Sequence, residues 1–141
     1  MEKRERILVP LDGSACSEKI IPRVEELASR LKTGICLVRV AYAHTFPGAD
    51  PTDAQVSAVR EAEGYLQKVE DQLKTKGFNV DSHTRYGDEV GEILDHASRE
   101  EVNLIAMSTH GRTGMKRWLF GSAAEKIVRD SPKPVFVARC A

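Results

Sequence analysis

No stretch of this chain approaches the ~18 uninterrupted apolar residues that a membrane span needs. The start, Met1-Glu2-Lys3-Arg4-Glu5-Arg6, is charged and carries no apolar core of the secretory-signal kind. A cytoplasmic setting is therefore expected, with no membrane partner. Cysteine is scarce. Cys16, Cys36 and Cys140 are odd in number and far apart, and no Cys-x2-Cys pair offers metal spacing. In a cytosolic chain they are expected as reduced thiols. An excess of one charge sign is also missing, since 21 basic residues face 21 acidic ones. That argues against a general DNA, RNA or anionic-membrane binder. Two common nucleotide motifs are absent as well. No Gly-x4-Gly-Lys-Ser/Thr exists, because Lys116 lies between Met115 and Arg117. No Gly-x-Gly-x2-Gly follows the first apolar run, so P-loop hydrolysis and dinucleotide binding are both disfavoured.

What is present is an alternation of strands and helices. At 141 residues the chain fits one domain, able to bury roughly 68–70% of its unfolded surface without a disulfide or a metal. Arg6-Ile7-Leu8-Val9-Pro10-Leu11 reads as a buried strand ending in the turn signals Asp12-Gly13-Ser14. Ile20, Ile21, Val24, Leu27, Ala28 and Leu31 follow at helical spacing, with Ser14 or Ser17 as cap, and Pro22 favouring the later start or a kink. Gly34 is expected to end that helix before the strand Ile35 to Val40. After a loop from about Tyr42 to Thr52, Val56, Val59, Ala62, Leu66, Val69 and Leu73 mark a long amphipathic helix closed by Gly77. Phe78 to Thr84 is a polar strand suited to a sheet edge. Asp88 can cap a helix burying Val90, Ile93, Leu94 and Ala97. A fourth strand covers about Val102 to Ser108. A helix with Ala124, Ile127 and Val128 and a last strand, Pro134 to Arg139, complete the chain. His44, His83 and His96 read as surface residues. The alternation predicts a parallel sheet with helices on both faces, and ligands bound beyond the carboxyl ends of its strands.

The densest signal lies between the fourth strand and the last helix. Met107-Ser108-Thr109-His110-Gly111-Arg112-Thr113-Gly114 runs from a strand into a glycine loop, and Gly121-Ser122 opens a helix. Glycines let the backbone approach oxyanions, and N–H groups at a helix start favour phosphate. Arg112, Lys116 and Arg117 either neutralise phosphates or form a solvated basic loop. His110 can hydrogen-bond a phosphate but has no visible carboxylate partner. Ser122-Ala123-Ala124-Glu125 also fits a capping box, so Ser122 serves the helix, a ligand, or both. Trp118, Leu119 and Phe120 either pack the loop onto the sheet or form a partner-binding patch. Asp12 is a ribose acceptor or a turn residue.

These residues resemble the universal stress protein family along nearly the whole chain. The resemblance begins at Ile7 to Ser14 and continues through Tyr86-Gly87-Asp88 and Asn103 to Met107. It is densest from Ser108 to Ser122 and ends at Pro132 to Val137. ATP-binding members carry Gly-x2-Gly-x9-Gly-Ser/Thr. That pattern falls here on Ser108, Gly111, Gly121 and Ser122, with serine in place of the first glycine. The resemblance implies a five-stranded parallel sheet of order 3-2-1-4-5, a Rossmann-like half. It implies that Asp12 contacts the ribose, that Pro10 belongs to the same binding site, and that Val40 and Met107 line the adenine. His110, Gly111, Gly121, Ser122 and Ala123 would surround the phosphates, with Arg112 and Gly114 in the same loop. The implied cofactor is ATP, with or without Mg²⁺. The implied partners are an adenine nucleotide, a second copy paired through Pro134 to Arg139, and a downstream protein that the sequence does not name.

Three functions follow as expectations. The first is a dimeric ATP-binding stress-response module with at most weak hydrolysis. The second is a slow nucleotide hydrolase or nucleotidyl-transfer enzyme, with His110, Thr109, Thr113 and Ser122 as its candidates. The third is a dimeric scaffold without nucleotide, an alternative that serine at position 108 keeps open.

Overall fold

The computed structural model describes residues 5–42, 47–48, 50–109 and 122–140, with backbone alone for Ser122. Its strands are β1 (Arg6–Pro10), β2 (Gly34–Ala41), β3 (Val80–Tyr86), β4 (Val102–Thr109) and β5 (Val135–Arg139). Its helices are α1 (Ala15–Glu18), α2 (Ile21–Leu31), α3 (Pro51–Thr75), α4 (Glu89–Ala97) and α5 (Ser122–Asp130). The strands form one sheet in the order β3-β2-β1-β4-β5, and every pairing is parallel. All residues of β1 are buried, and their alternation feeds two cores. Ile7 and Val9 pack with Val24 and Ala28 of α2 and with Leu66, Val69 and Leu73 of α3. Leu8 joins Cys36, Val38, Ile93 and Ala97, with Ala124 and Ile127 of α5, on the other face. No helix among the described residues is long and apolar enough to cross a membrane.

Local chemistry accounts for the element ends. The first helical region is two helices. Ser14 caps α1 by accepting from Ser17 N–H, and Pro22 sits in the first turn of α2, where its missing N–H costs nothing. Gly34 does not end α2. Lys32 does, in the left-handed conformation at φ 55°, its N–H bonded to Ala28 O. Gly34 instead opens β2, where a Cβ would lie 2.7 Å from Arg6 Nη1. Gly77 follows α3 at φ 95°, as the sequence suggests. Asp88 caps α4, accepting from Gly91 N–H at 2.8 Å. Leu31, Val56 and Val128 share the apolar repeats of their helices but are exposed. His96 is 2% exposed and His83 half-buried, so neither is the surface residue expected.

The cysteines depart most from expectation. Cys16 and Cys140 form a disulfide across 124 residues of sequence, with Cα atoms 5.2 Å apart, and Cys36 is free and buried. The reason is topological. α1 packs beside β4, and Cys140 N–H bonds Thr109 O at 2.9 Å, so both chain segments meet at the same end of β4. Disulfides are rare in reducing compartments. This bridge is the observed feature that pulls against the expected cytoplasmic setting. Closing so long a loop stabilises a fold by about 2–4 kcal/mol. Reduction, or Cys16→Ser, should therefore lower the melting temperature by roughly 5–15 °C in calorimetry. An unchanged melting temperature on reduction would show that the bridge carries no stability.

Candidate functional site

β1 is where strand order reverses. The chain moves from β1 to β2 on one side and reaches β4 on the other, which opens a crevice between their carboxyl ends. A cleft of about 70 Å³ occupies it. Its apolar walls come from Pro10, Leu11, Val38 and Val40, from Ile93 of α4, from Met107, and from Ile127 of α5. Asp12, Ser17, Ser108 and Glu89 supply the polar groups, and Ala123 brings the first turn of α5 to the rim.

The loop after β1 is held by its own hydrogen bonds. Asp12 Oδ1 accepts from Ser14 N–H at 2.8 Å, and Asp12 N–H donates to Ser17 Oγ at 3.3 Å. The Ser17 hydroxyl donates in turn to Ser14 O at 3.0 Å. Gly13 makes the reversal possible at φ 87°, and a Cβ there would sit 3.3 Å from the Arg39 guanidinium. Arg39 is itself fixed, by an ion pair with Glu61 at 3.1 Å and by stacking over Tyr65. Across the cleft, Ser108 Oγ donates to Ser17 O at 3.4 Å, joining the two loops.

Two carboxylates in this cleft are pushed in opposite directions. Partial burial raises the Asp12 pKa, but hydrogen bonds from Ser14 and Ser17 outweigh it and leave the carboxyl below its ordinary value. Asp12 is thus a ready ionised acceptor for hydroxyl groups. Glu89 is raised, first by partial burial and then by the charges of Asp12 and Asp88. An incoming cation, or a neutral donor, is favoured at that rim over a second anion.

Six of the residues singled out in the sequence converge here: Pro10, Asp12, Val40, Met107, Ser108 and Ala123. His110, Gly111, Arg112, Gly114 and Gly121 lie outside the described residues, as do His44, Thr113, Lys116, Arg117 and Trp118 to Phe120. The Ser122 side chain is likewise outside them, so its capping role is untested. Leu11, Ser17, Val38, Glu89, Ile93 and Ile127 line the cleft without having been singled out. Glu89 had a usable signal. The residue after the Asp88 cap must sit in the first turn of α4, at the sheet end where the β1 and β4 loops emerge.

The arrangement is that of a doubly wound α/β protein with a cleft at its switch point. The sequence profile of the universal stress protein family matches residues 3–139, and the chain belongs to that family. Universal stress protein MJ0531 of Methanocaldococcus jannaschii is 27% identical over 139 residues, covering 96% of this chain and 82% of its own. The structure of universal stress protein UspA from Lactobacillus plantarum superposes with a TM-score of 0.80 at 23% identity. It covers 99% of this chain and 100% of its own. The universal stress protein from Archaeoglobus fulgidus in complex with dAMP gives a TM-score of 0.68 at 16% identity, covering 96% and 98%.

The turn that carries Asp12 can be tested without a ligand. A side chain at the Gly13 φ is strained, so Gly13→Ala should destabilise by about 1–2 kcal/mol in urea denaturation. Gly64→Ala, in open space within α3, should stabilise by about 0.5–1 kcal/mol. A neutral Gly13→Ala would mean that the turn is not held as described.

Proposed function

We propose that the cleft binds an adenine nucleotide, with ATP the leading ligand, and that the protein acts as a dimeric stress-response module of the cytoplasm. The observation that supports this reading is the convergence of Asp12, Val40, Met107, Ser108 and Ala123 on one cleft. Its walls are mostly apolar with few polar groups, as in small-molecule sites. The residues fit the ligand's parts. Val40 and Met107 offer apolar walls for a flat base. Asp12 offers an ionised acceptor for ribose hydroxyls. The first turn of α5 offers backbone N–H groups and a favourable dipole for phosphate. A relative of the same fold in complex with dAMP points the same way. Glu89 beside Asp12 supplies oxygen atoms suited to Mg²⁺ accompanying the phosphates.

Asp12 carries the clearest test. Losing a charge-assisted hydrogen bond costs ~1.5–3 kcal/mol, so Asp12→Ala should weaken ATP binding roughly ten- to hundredfold by calorimetry. 2′-Deoxy-ATP should bind wild type less tightly than ATP, and Asp12→Ala should narrow that gap. Asp12→Asn keeps an acceptor for Ser14 N–H and should retain wild-type stability, separating the turn from the ligand contact. If Asp12→Ala binds both nucleotides as wild type does, the ribose contact is elsewhere. The second reading, a scaffold without nucleotide, draws support from the Ser108 hydroxyl, which stands in the cleft bonded to Ser17. Failure of wild type to bind any adenine nucleotide would favour it.

The dimer reading rests on the free edge of β5. Pro134 O accepts from Ile105 N–H, and Cys140 N–H donates to Thr109 O, so even-numbered residues face β4. Val135, Val137 and Arg139 therefore direct their N–H and C=O groups outward, along an edge open to strand pairing. A twofold partner would pair antiparallel with the same strand about Val137. Val137→Pro removes one outward donor without touching the β4 ladder, and should weaken the dimer roughly tenfold in sedimentation. A monomeric wild type at micromolar concentration, or a variant that dimerises equally well, would refute this assembly.

A further inference from the structure

On the face of the sheet covered by α4, away from the cleft, lies a group of side chains that nucleotide binding does not use. Cys36 of β2 stands opposite Asp81 of β3, and Val38 stands opposite His83. Cys36, Asp81, His83 and Arg85 therefore share one face. α4 lays His96 over them. The Cys36 thiol and one ring nitrogen each of His83 and His96 lie within 4.8 Å of one another, and Cys36 and His96 are each 2% exposed.

We propose that Cys36, His83 and His96 form a binding site for a divalent transition-metal ion of borderline softness, with Zn²⁺ as its type. Thiolate and imidazole are the ligands such ions prefer. Cys36 Sγ and His96 Nε2 are 3.5 Å apart. A tetrahedral centre with Zn–S ~2.3 Å and Zn–N ~2.0–2.1 Å separates its ligand atoms by about that distance. The three groups sit on two paired strands and a packed helix, so little rearrangement brings them together. Asp81 Oδ2 lies 3.2 Å from His83 Nε2, the carboxylate–imidazole contact that orients ligating histidines. Asp81 Oδ1 is buried, makes no hydrogen bond and lies 3.5 Å from Arg6 Nη1. A hollow lined by His83, Thr84, Arg85, Asp95, His96 and Arg99 connects the group with solvent and leaves room for a water ligand.

The surroundings both favour and guard the site. Around it stand the carboxylates of Asp81, Glu92, Asp95 and Glu101 and the cations of Arg6, Arg85 and Arg99. A thiolate adds to the negative side. Without an ion, burial and then the Asp81 charge push the Cys36 thiol up to about 12, so the ion itself must displace the proton. Arg85 Nη1 lies 3.0 Å from His96 Nδ1 and can only donate, so Nδ1 accepts and the Nε2 proton points at Cys36. On metal binding the thiol proton leaves to solvent. The imidazole proton moves to Nδ1, while Arg85 shifts onto Glu92 and Asp95, which it already bonds. The buried histidine and thiol then act as ligands rather than as a hydrogen-bonded pair.

The test uses tag-free full-length protein with its disulfide formed and without nucleotide, so that Cys36 is the free thiol. Co²⁺ titration should give a thiolate-to-cobalt charge-transfer band saturating at one ion per chain, and Zn²⁺ should displace it with micromolar or tighter affinity. Zn²⁺ should also raise the melting temperature. Cys36→Ser should abolish the band, and His96→Gln should weaken binding at least about tenfold. Arg85→Gln removes the cation while offering an acceptor to Nδ1–H, and should tighten binding. Absence of the band under excess Co²⁺, or equal Zn²⁺ affinity in Cys36→Ser, would leave a hydrogen-bonded polar group and overturn the proposal. Weaker binding in Arg85→Gln would count against it as well.

Discussion

β1 is hydrogen-bonded along both edges and covered on both faces, and the rest of the molecule is arranged around it. A strand so enclosed is apolar along its middle, where Ile7, Leu8 and Val9 are each fully buried, and its one charged residue, Arg6, is buried at its start against Ile35 O and Asp81. Other polar residues can appear only where it leaves the sheet. Because β2 lies on one side and β4 on the other, that exit is also where the connections diverge. Asp12 therefore enters the same cleft as Met107 and Ser108, more than ninety residues away. The pKa pattern of the cleft follows from this meeting. Asp12 is partly buried but supplied with donors by its own turn, while Glu89 is partly buried and also faces the charge of Asp12.

The disulfide belongs to the same corner. Cys16 lies in α1, next to Ser17, whose hydroxyl receives Asp12 N–H and whose carbonyl receives the Ser108 hydroxyl. Cys140 is bonded to Thr109, the last residue of β4. The bridge thus ties the loop after β1 to the far end of β5, the strand with the open edge. None of the residues of α1 is fully buried.

Features governed by local chemistry were legible in the sequence. The Asp88 cap, Gly77 after α3, and Pro22 near a helix start each express a backbone rule that short segments obey by themselves. The strand alternation and the glycine loop carried the fold and the family. Properties that depend on distant partners were not legible. Gly34 reads as a helix end, but it is needed for the approach of Arg6 to the start of β2. His96 reads as polar surface, but α4 turns it onto Cys36 and Arg85. Cys16 and Cys140 looked isolated, because a spacing of 124 residues carries no information about contact. Glu89 is masked in the sequence by Asp88, whose capping role accounts for an acidic residue at that helix start.

The central claim is that the switch-point cleft holds an adenine nucleotide. The most direct measurement is to denature freshly purified protein and identify the small molecules released by mass spectrometry, with added ATP as a saturating control. The account predicts an adenine nucleotide released at up to one per chain, and protection of Met107 and Asp12 segments from hydrogen exchange when ATP is added. Protein that releases no nucleotide, and whose cleft exchanges identically with and without ATP, would contradict it.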